Sequence, residues 1–268
     1  MTSFLVYAAL TTPFADDGSV DVGAVRSHVE LLIDDGVEGL VAAGTTGEGP
    51  LLEEHEVSSV VAAAVEAAAG RMEVIAHVGR ASTAATVRLA ADARRAGADA
   101  LIAVTPWYYA HGPDALLSHY RALMDAAGDT PAMAYAFPDR AGYPLPPEVL
   151  DTLAGEGLAG LKDSSKSPER LAEYLEVASR HAKLRTFVGA ERLTLEALQG
   201  GAAGTISALA NARGDVLLGV RDQQTEDAQR AVNAARDELP GIPEVKRAVS
   251  ERLAQRGAAY PPAPRSPL

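Results

Sequence analysis

The 268-residue sequence contains no cysteine, which excludes disulfides and thiolate metal sites and is compatible with a reducing compartment. Aromatic residues are scarce at 5%, with a single tryptophan, so any aromatic cluster is informative. Positive charge is also short. Twenty-four Lys and Arg face 36 Asp and Glu, giving a formal net charge of −12. The pI is near 4.9. Such a surface repels nucleic acid and anionic membranes over long range, yet a local group of cations and backbone N–H groups can still hold an anionic metabolite. No stretch approaches the ~20 apolar residues of a membrane helix. The start, MTSFLVYAALTTPF, lacks the basic beginning and long apolar run of a secretory leader, so cytoplasm is the expected compartment.

Several catalytic signatures are missing too. The six histidines, His28, His55, His77, His111, His119 and His181, form no i, i+4 ligand pair, so no metal site is expected. His111 and His119 flank a predicted helix start and read as surface residues. No serine lies in a nucleophile elbow, no Gly-x-Gly-x-x-Gly follows a strand, and no P-loop ending is present.

What is present is alternation. Short apolar runs at about residues 7–12, 39–43, 73–77, 100–104, 132–136, 157–161, 185–188 and 205–208 read as strands. Helical patterns lie between them. Asp21 and Ser82 stand as N-caps, Pro147 and Pro168 at first turns, and Gly36 and Gly97 as stops. Eight strands alternating with amphipathic helices imply parallel β-structure with right-handed crossovers. No run reads as an exposed edge, and a (β/α)8 TIM barrel needs roughly 250 residues as one unit. The expected organisation is a barrel over residues 1–213 and a short helical appendix over 214–268. The appendix carries helices at about 226–238 and 244–256 and a Pro-rich, extended tail from Tyr260.

In such a barrel the chemistry sits at the C-terminal ends of the strands. Lys162 follows the apolar run Gly-Leu-Ala-Gly-Leu. Partial loss of water at a barrel mouth favours the free amine, which can attack a carbonyl and form an imine. The plain alternative is a lysine that leaves the strand for water. The loop Gly44-Thr45-Thr46-Gly47-Glu48 could cradle a carboxylate with successive N–H groups and threonine hydroxyls, or be an ordinary strand-to-helix turn. Tyr135 closes an apolar strand, where its phenol could relay protons or simply pack. Arg140 offers a planar fork to a second carboxylate, or pairs with Asp139 on the surface. Trp107-Tyr108-Tyr109 reads as a pocket wall, a subunit contact or a cap on the local core.

Taken together the pieces resemble the dihydrodipicolinate synthase / N-acetylneuraminate lyase family of barrel aldolases. The resemblance runs through Leu10-Thr11-Thr12-Pro13-Phe14, Asp17-Gly18-Ser19-Val20-Asp21, the 44–48 loop, Glu53-Glu54-His55 and Thr105-Pro106-Trp107-Tyr108. It continues through His119-Tyr120, Tyr135 with Pro138, Arg140 and Gly142, and Gly160-Leu161-Lys162-Asp163. It ends with Phe187-Val188-Gly189, Gly204-Thr205-Ile206-Ser207 and Asn211.

The resemblance implies roles. Lys162 would form the imine, and Tyr135, Thr45 and Tyr108 would form a hydroxyl relay. Tyr108 would come from a neighbouring subunit, so a homodimer or homotetramer is implied. Thr46 would hold the 2-oxo acid carboxylate, Gly189 would shape the pocket, and the Ile206 carbonyl would lie near the lysine. Arg140 would grip an aldehyde substrate's carboxylate. No cofactor is implied. Ala136, Ala141 and Ala190 stand where the family usually has asparagine, threonine and an acidic residue, and about one C-terminal helix is missing. The implied reaction joins pyruvate to aspartate semialdehyde, as a 4-hydroxy-tetrahydrodipicolinate synthase does. A sugar-acid aldolase or 2-oxo-acid dehydratase is an alternative within the family, and a non-catalytic 2-oxo-acid sensor one outside enzymology.

Overall fold

A computed structural model describes residues 4–267. Met1, Thr2 and Ser3, the start of the leader reading, and Leu268, the last residue of the tail, lie outside the described residues. Eight parallel strands close into a barrel in sequence order: β1 (Leu5–Ala9), β2 (Gly39–Ala42), β3 (Glu73–His77), β4 (Ala100–Val104), β5 (Ala132–Ala136), β6 (Gly160–Asp163), β7 (Arg185–Val188) and β8 (Gly204–Ser207). Pairing of Tyr7 with Ile206 closes the ring. The helices between strands are α1 (Val22–Asp34), α2 (Glu54–Ala68), α3 (Thr83–Arg95), α4 (Pro113–Ala127), α5 (Pro138–Ala141), α6 (Pro147–Gly155), α7 (Pro168–Arg180) and α8 (Thr194–Gln199). After β8 come α9 (Ala210–Gln223), α10 (Glu226–Glu238) and α11 (Ile242–Ala254). No helix of the described residues is long and apolar enough to cross a membrane.

Local chemistry starts the helices where expected. Asp21 accepts the Ala24 N–H at 2.9 Å, and Ser82 and Ser167 accept the N–H groups of Ala85 and Arg170. Each satisfies one of the free donors of a first turn. Glu53 and Glu56 form a reciprocal capping box at α2.

Strand alternation sorts side chains into two cores. One lies between barrel and helices and includes Leu40, Leu101, Leu161 and Ala136. The other fills the barrel with Tyr7, Val41, Ile75, Ile102, Met133, Tyr135, Phe187 and Ile206. At the N-terminal end of the barrel the plug is polar. Glu73 accepts the Tyr7 phenol and two bonds from Arg185 at 2.7 and 2.9 Å. Gly39 is required there, because a Cβ would lie 2.6 Å from the Tyr7 ring.

Four readings need correction. β1 runs over Leu5–Ala9 rather than 7–12. β6 runs over Gly160–Asp163 rather than 157–161, so Lys162 lies within the strand and not after it. Gly157, at φ +109°, belongs to the turn after α6. His119 is buried, not on the surface, and its Nδ1 sits 2.9 Å from the Thr83 hydroxyl. A helix unread in the sequence, α9, follows β8 and is interrupted at Arg213, whose φ and ψ are −134° and 49°.

Candidate active site

Lys162 projects into the barrel from β6. Its ladder neighbours are Tyr135 on β5 and Phe187 on β7. The residue is 7% exposed. Its Nζ lies 4.4 Å from the centroid of the Tyr135 ring. Among the described residues no carboxylate pairs with this amine and no acceptor takes a hydrogen bond from it. Buried lysines ordinarily have such a partner. Tyr135 is itself buried, stacked on Phe137 at 5.6 Å between centroids.

Gly189 follows β7 beside the lysine. Its N–H donates to the Asp163 carbonyl at 2.6 Å. A Cβ here would stand 2.2 Å from the Ser164 hydroxyl and 2.9 Å from Lys162 Cε. Only a hydrogen in that place leaves the lysine its path through the mouth. Ile206 is buried in the inner core on β8.

The loop after β2 doubles back tightly. Thr45 is half-buried and Thr46 is buried. The Thr45 carbonyl accepts the Glu48 N–H, and the Gly44 carbonyl accepts the Gly49 N–H. Thr12 fastens the loop from β1's end by donating its hydroxyl to the Gly47 carbonyl at 2.7 Å. Among the described residues, no hydrogen bond connects Thr45 to Tyr135 or to Tyr108.

Tyr108 is not brought to Lys162 within the chain. It is 84% exposed, edge-on to Tyr109, and holds φ at +79°. A bulky residue at positive φ stores strain, and large exposed aromatics mark contact surfaces. Trp107, by contrast, packs against the inner core. Arg140 is exposed on α5 and has no side-chain partner among the described residues. The expected Asp139 pairing goes instead to Lys166, at 2.6 Å. Ala136 faces the outer core rather than the mouth, Ala141 is buried and Ala190 half-buried.

Sequence reasoning passed over two features. His77, last residue of β3, is buried at the same end of the barrel with its ring edge-on to Tyr135, at 6.1 Å. Burial drives its pKa down to about 3, helped by the positive charges of Arg80 and Lys162. The Val104 N–H approaches His77 Nε2 at 3.3 Å, and Nδ1 has no partner among the described residues. The alternation Glu73, Ile75, His77 points it inward. The second feature is the buried pair of Glu48 with Lys246, 2.9 Å apart and from opposite ends of the chain.

The chain is a closed TIM barrel that carries a buried lysine at its C-terminal mouth, without a partner among the described residues. A profile described as the Dihydrodipicolinate synthetase family matches residues 3–260. An uncharacterised DapA-like lyase of Halobacterium salinarum is 37% identical over 228 residues, covering 84% of this chain and 74% of the relative. The 4-hydroxy-tetrahydrodipicolinate synthase of Methylococcus capsulatus is 38% identical over 204 residues, covering 76% and 69%. The N-acetylneuraminate lyase of Escherichia coli is 35% identical over 210 residues, covering 78% and 70%. Among solved structures, a dihydrodipicolinate synthase of Bacillus anthracis superposes with a TM-score of 0.90 at 25% identity, covering 100% and 92%. YagE of E. coli, solved with pyruvate, superposes at 0.91 with 23% identity, covering 99% and 92%, a likeness of fold. The chain belongs to the dihydrodipicolinate synthetase family, a family of lyases.

Proposed function

We propose that the chain is a lyase that binds pyruvate or a related 2-oxo acid as an imine on Lys162. The observation that carries this reading is the Lys162 amine itself, buried, unpaired and 4.4 Å from the Tyr135 ring centroid. The amine adds to the C2 carbonyl, and the carbinolamine loses its oxygen as water to leave the imine. Tyr135 delivers and recovers the protons of these steps. Loss of a C3 proton gives the enamine, whose C3 forms the new bond to an aldehyde carbon; in reverse, that bond breaks and the aldehyde departs. Thr46 holds the 2-oxo acid carboxylate through its N–H and hydroxyl. Thr45 and a Tyr108 from a second copy of the chain complete the hydroxyl relay, so the working form is a dimer or tetramer. The exposure and strain of Tyr108 support that crossing. Gly189 and Ile206 shape the pocket beside the amine.

Arg140 supports an acidic aldehyde as second substrate, because its guanidinium has no partner of its own. The leading reaction is therefore condensation of pyruvate with aspartate semialdehyde. A sugar-acid cleavage is the second reading, favoured by the 35% identity to an N-acetylneuraminate lyase. Pyruvate with aspartate semialdehyde, and separately N-acetylneuraminate alone, are supplied to the wild type and to Lys162→Ala. Turnover of either by the wild type, abolished in the variant, is expected. Undiminished turnover in Lys162→Ala would refute the reading.

A further inference from the structure

We propose that Lys246 and the C-terminal tail are positioning elements for the 2-oxo acid carboxylate, acting through Glu48 on the loop that carries Thr45 and Thr46. The proposal rests on the reading of that loop given under Proposed function. The loop has two backbone hydrogen bonds of its own and one from Thr12, and it also holds strained backbone. Ala43 at φ +56° and Glu48 at φ +58° are L-residues in left-handed backbone. The chain between them is so tightly folded that a Cβ on Gly49 would sit 1.9 Å from the Ala43 carbonyl oxygen. Backbone of this kind persists only where surrounding structure over-determines it.

Glu48 is the handle on the loop. Its side chain is fully buried, and its two oxygens are both taken by the C-terminal region. Oε1 accepts from Lys246 Nζ on α11 at 2.9 Å, and Oε2 accepts the Arg265 N–H at 2.7 Å. Lys246 also donates to the Ala263 carbonyl at 2.7 Å and lies 4.5 Å from the Phe14 ring centroid. The Arg265 guanidinium reaches the Leu51 carbonyl at 3.0 Å and Glu56 at 2.6 Å, flanking the same loop. Tyr260 anchors the tail by its phenol, 2.5 Å from the Thr11 hydroxyl. A buried ion pair is a poor way to gain stability alone, since apolar residues of similar volume commonly serve as well. What it does provide is a fixed direction and distance, which a loop with two strained residues needs.

The test reads pyruvate binding rather than folding. The pyruvate concentration giving half-maximal borohydride-trapped adduct on Lys162 is measured beside the saturated trapping rate, for wild type, Glu48→Gln, Lys246→Met, Arg265→Ala and Arg265→Pro. The last two keep the buried charges, and only the proline removes the N–H given to Glu48. Loss of a charge-assisted bond should raise the half-saturating concentration about tenfold in Glu48→Gln and Lys246→Met. Arg265→Pro should raise it more than Arg265→Ala does. The half-saturating concentration should change by a larger factor than the saturated rate, because the loop holds the carboxylate through Thr46 while Lys162 is not displaced. If the buried variants fail to fold, the Arg265 pair decides. Unchanged half-saturation in the folded variants, with or without a lower melting temperature, overturns the proposal while leaving the imine reading intact. No adduct in the wild type removes both.

Discussion

Replacing Gly189 with alanine is a sharp perturbation, because one methyl group meets the reacting side chain. Ordinary Cβ contacts begin near 3.4 Å, and the new methyl would sit 2.9 Å from Lys162 Cε and 2.2 Å from the Ser164 hydroxyl. The serine can turn its hydroxyl away. The lysine stem cannot withdraw so easily, since Tyr135 and Phe187 flank it on the neighbouring strands. It must move by about 0.5 Å or more, carrying the amine further through its torsions. A misplacement of about 1 Å at a reacting atom can lower a rate about 100-fold, and overpacking of this kind costs about 1–3 kcal/mol of stability. Gly189→Ala should therefore form the pyruvate adduct about 100-fold more slowly in a quenched time course at saturating pyruvate. Adding Ser164→Ala should recover much of the stability in urea unfolding and little of the rate. An adduct forming at the wild-type rate in Gly189→Ala would refute the placement of Lys162 against Gly189.

Tyr135→Phe should keep the fold and lower kcat by about 10²–10⁴ with a smaller change in KM, as loss of a proton-transfer group does; equal change in both would make the phenol a binding group only. Arg140→Ala should raise KM for an acidic aldehyde about 10- to 100-fold while pyruvate adduct formation survives, and loss of both would make Arg140 structural. Acid should destabilise the fold through three buried histidines. Burial holds His28 and His119 down to about 4 and His77 down to about 3, against 6.5 when unfolded. The unfolded state then binds the extra protons, so the stability each contributes is full above 6.5 and drains as pH falls toward the folded value. Between pH 7.5 and 5 the loss is about 2 kcal/mol per histidine, measurable by urea unfolding, and His28→Gln or His77→Gln should flatten the dependence.

The barrel was legible where strands are apolar and clearly punctuated. β3, β4, β5 and β7 have the bounds that their sequence suggests, each opening after a turn and closing near Gly, Thr-Pro or Pro. β6 was displaced because its two informative residues are polar. Lys162 enters the barrel and Asp163 is buried, with the Ser165 N–H donating to its carboxylate at 2.9 Å, so hydrophobicity placed the strand too early. Helix α9 was unread because several faces are covered at once; Asn211, Gly214, Val216 and Val220 are all buried, which leaves no clean polar stripe. The site was legible in part. Lys162 and Tyr135 were found by the rule that barrel chemistry lies at strand C-terminal ends, and the two prove to be ladder partners. The Glu48–Lys246 pair was not, because buried charges read in sequence like solvated ones until the fold joins residues 198 positions apart. Tyr108 lies exposed and away from Lys162 within the chain, so its proposed part in the relay has no counterpart in the single-chain geometry.

The central claim is that the Lys162 amine captures a 2-oxo acid. Wild-type protein incubated with isotope-labelled pyruvate, reduced with borohydride and digested gives a direct reading by peptide mass. The account predicts one labelled adduct, on the peptide containing Lys162 and absent when borohydride is omitted. An unlabelled Lys162, or label spread over Lys166, Lys183 and Lys246 instead, would contradict it.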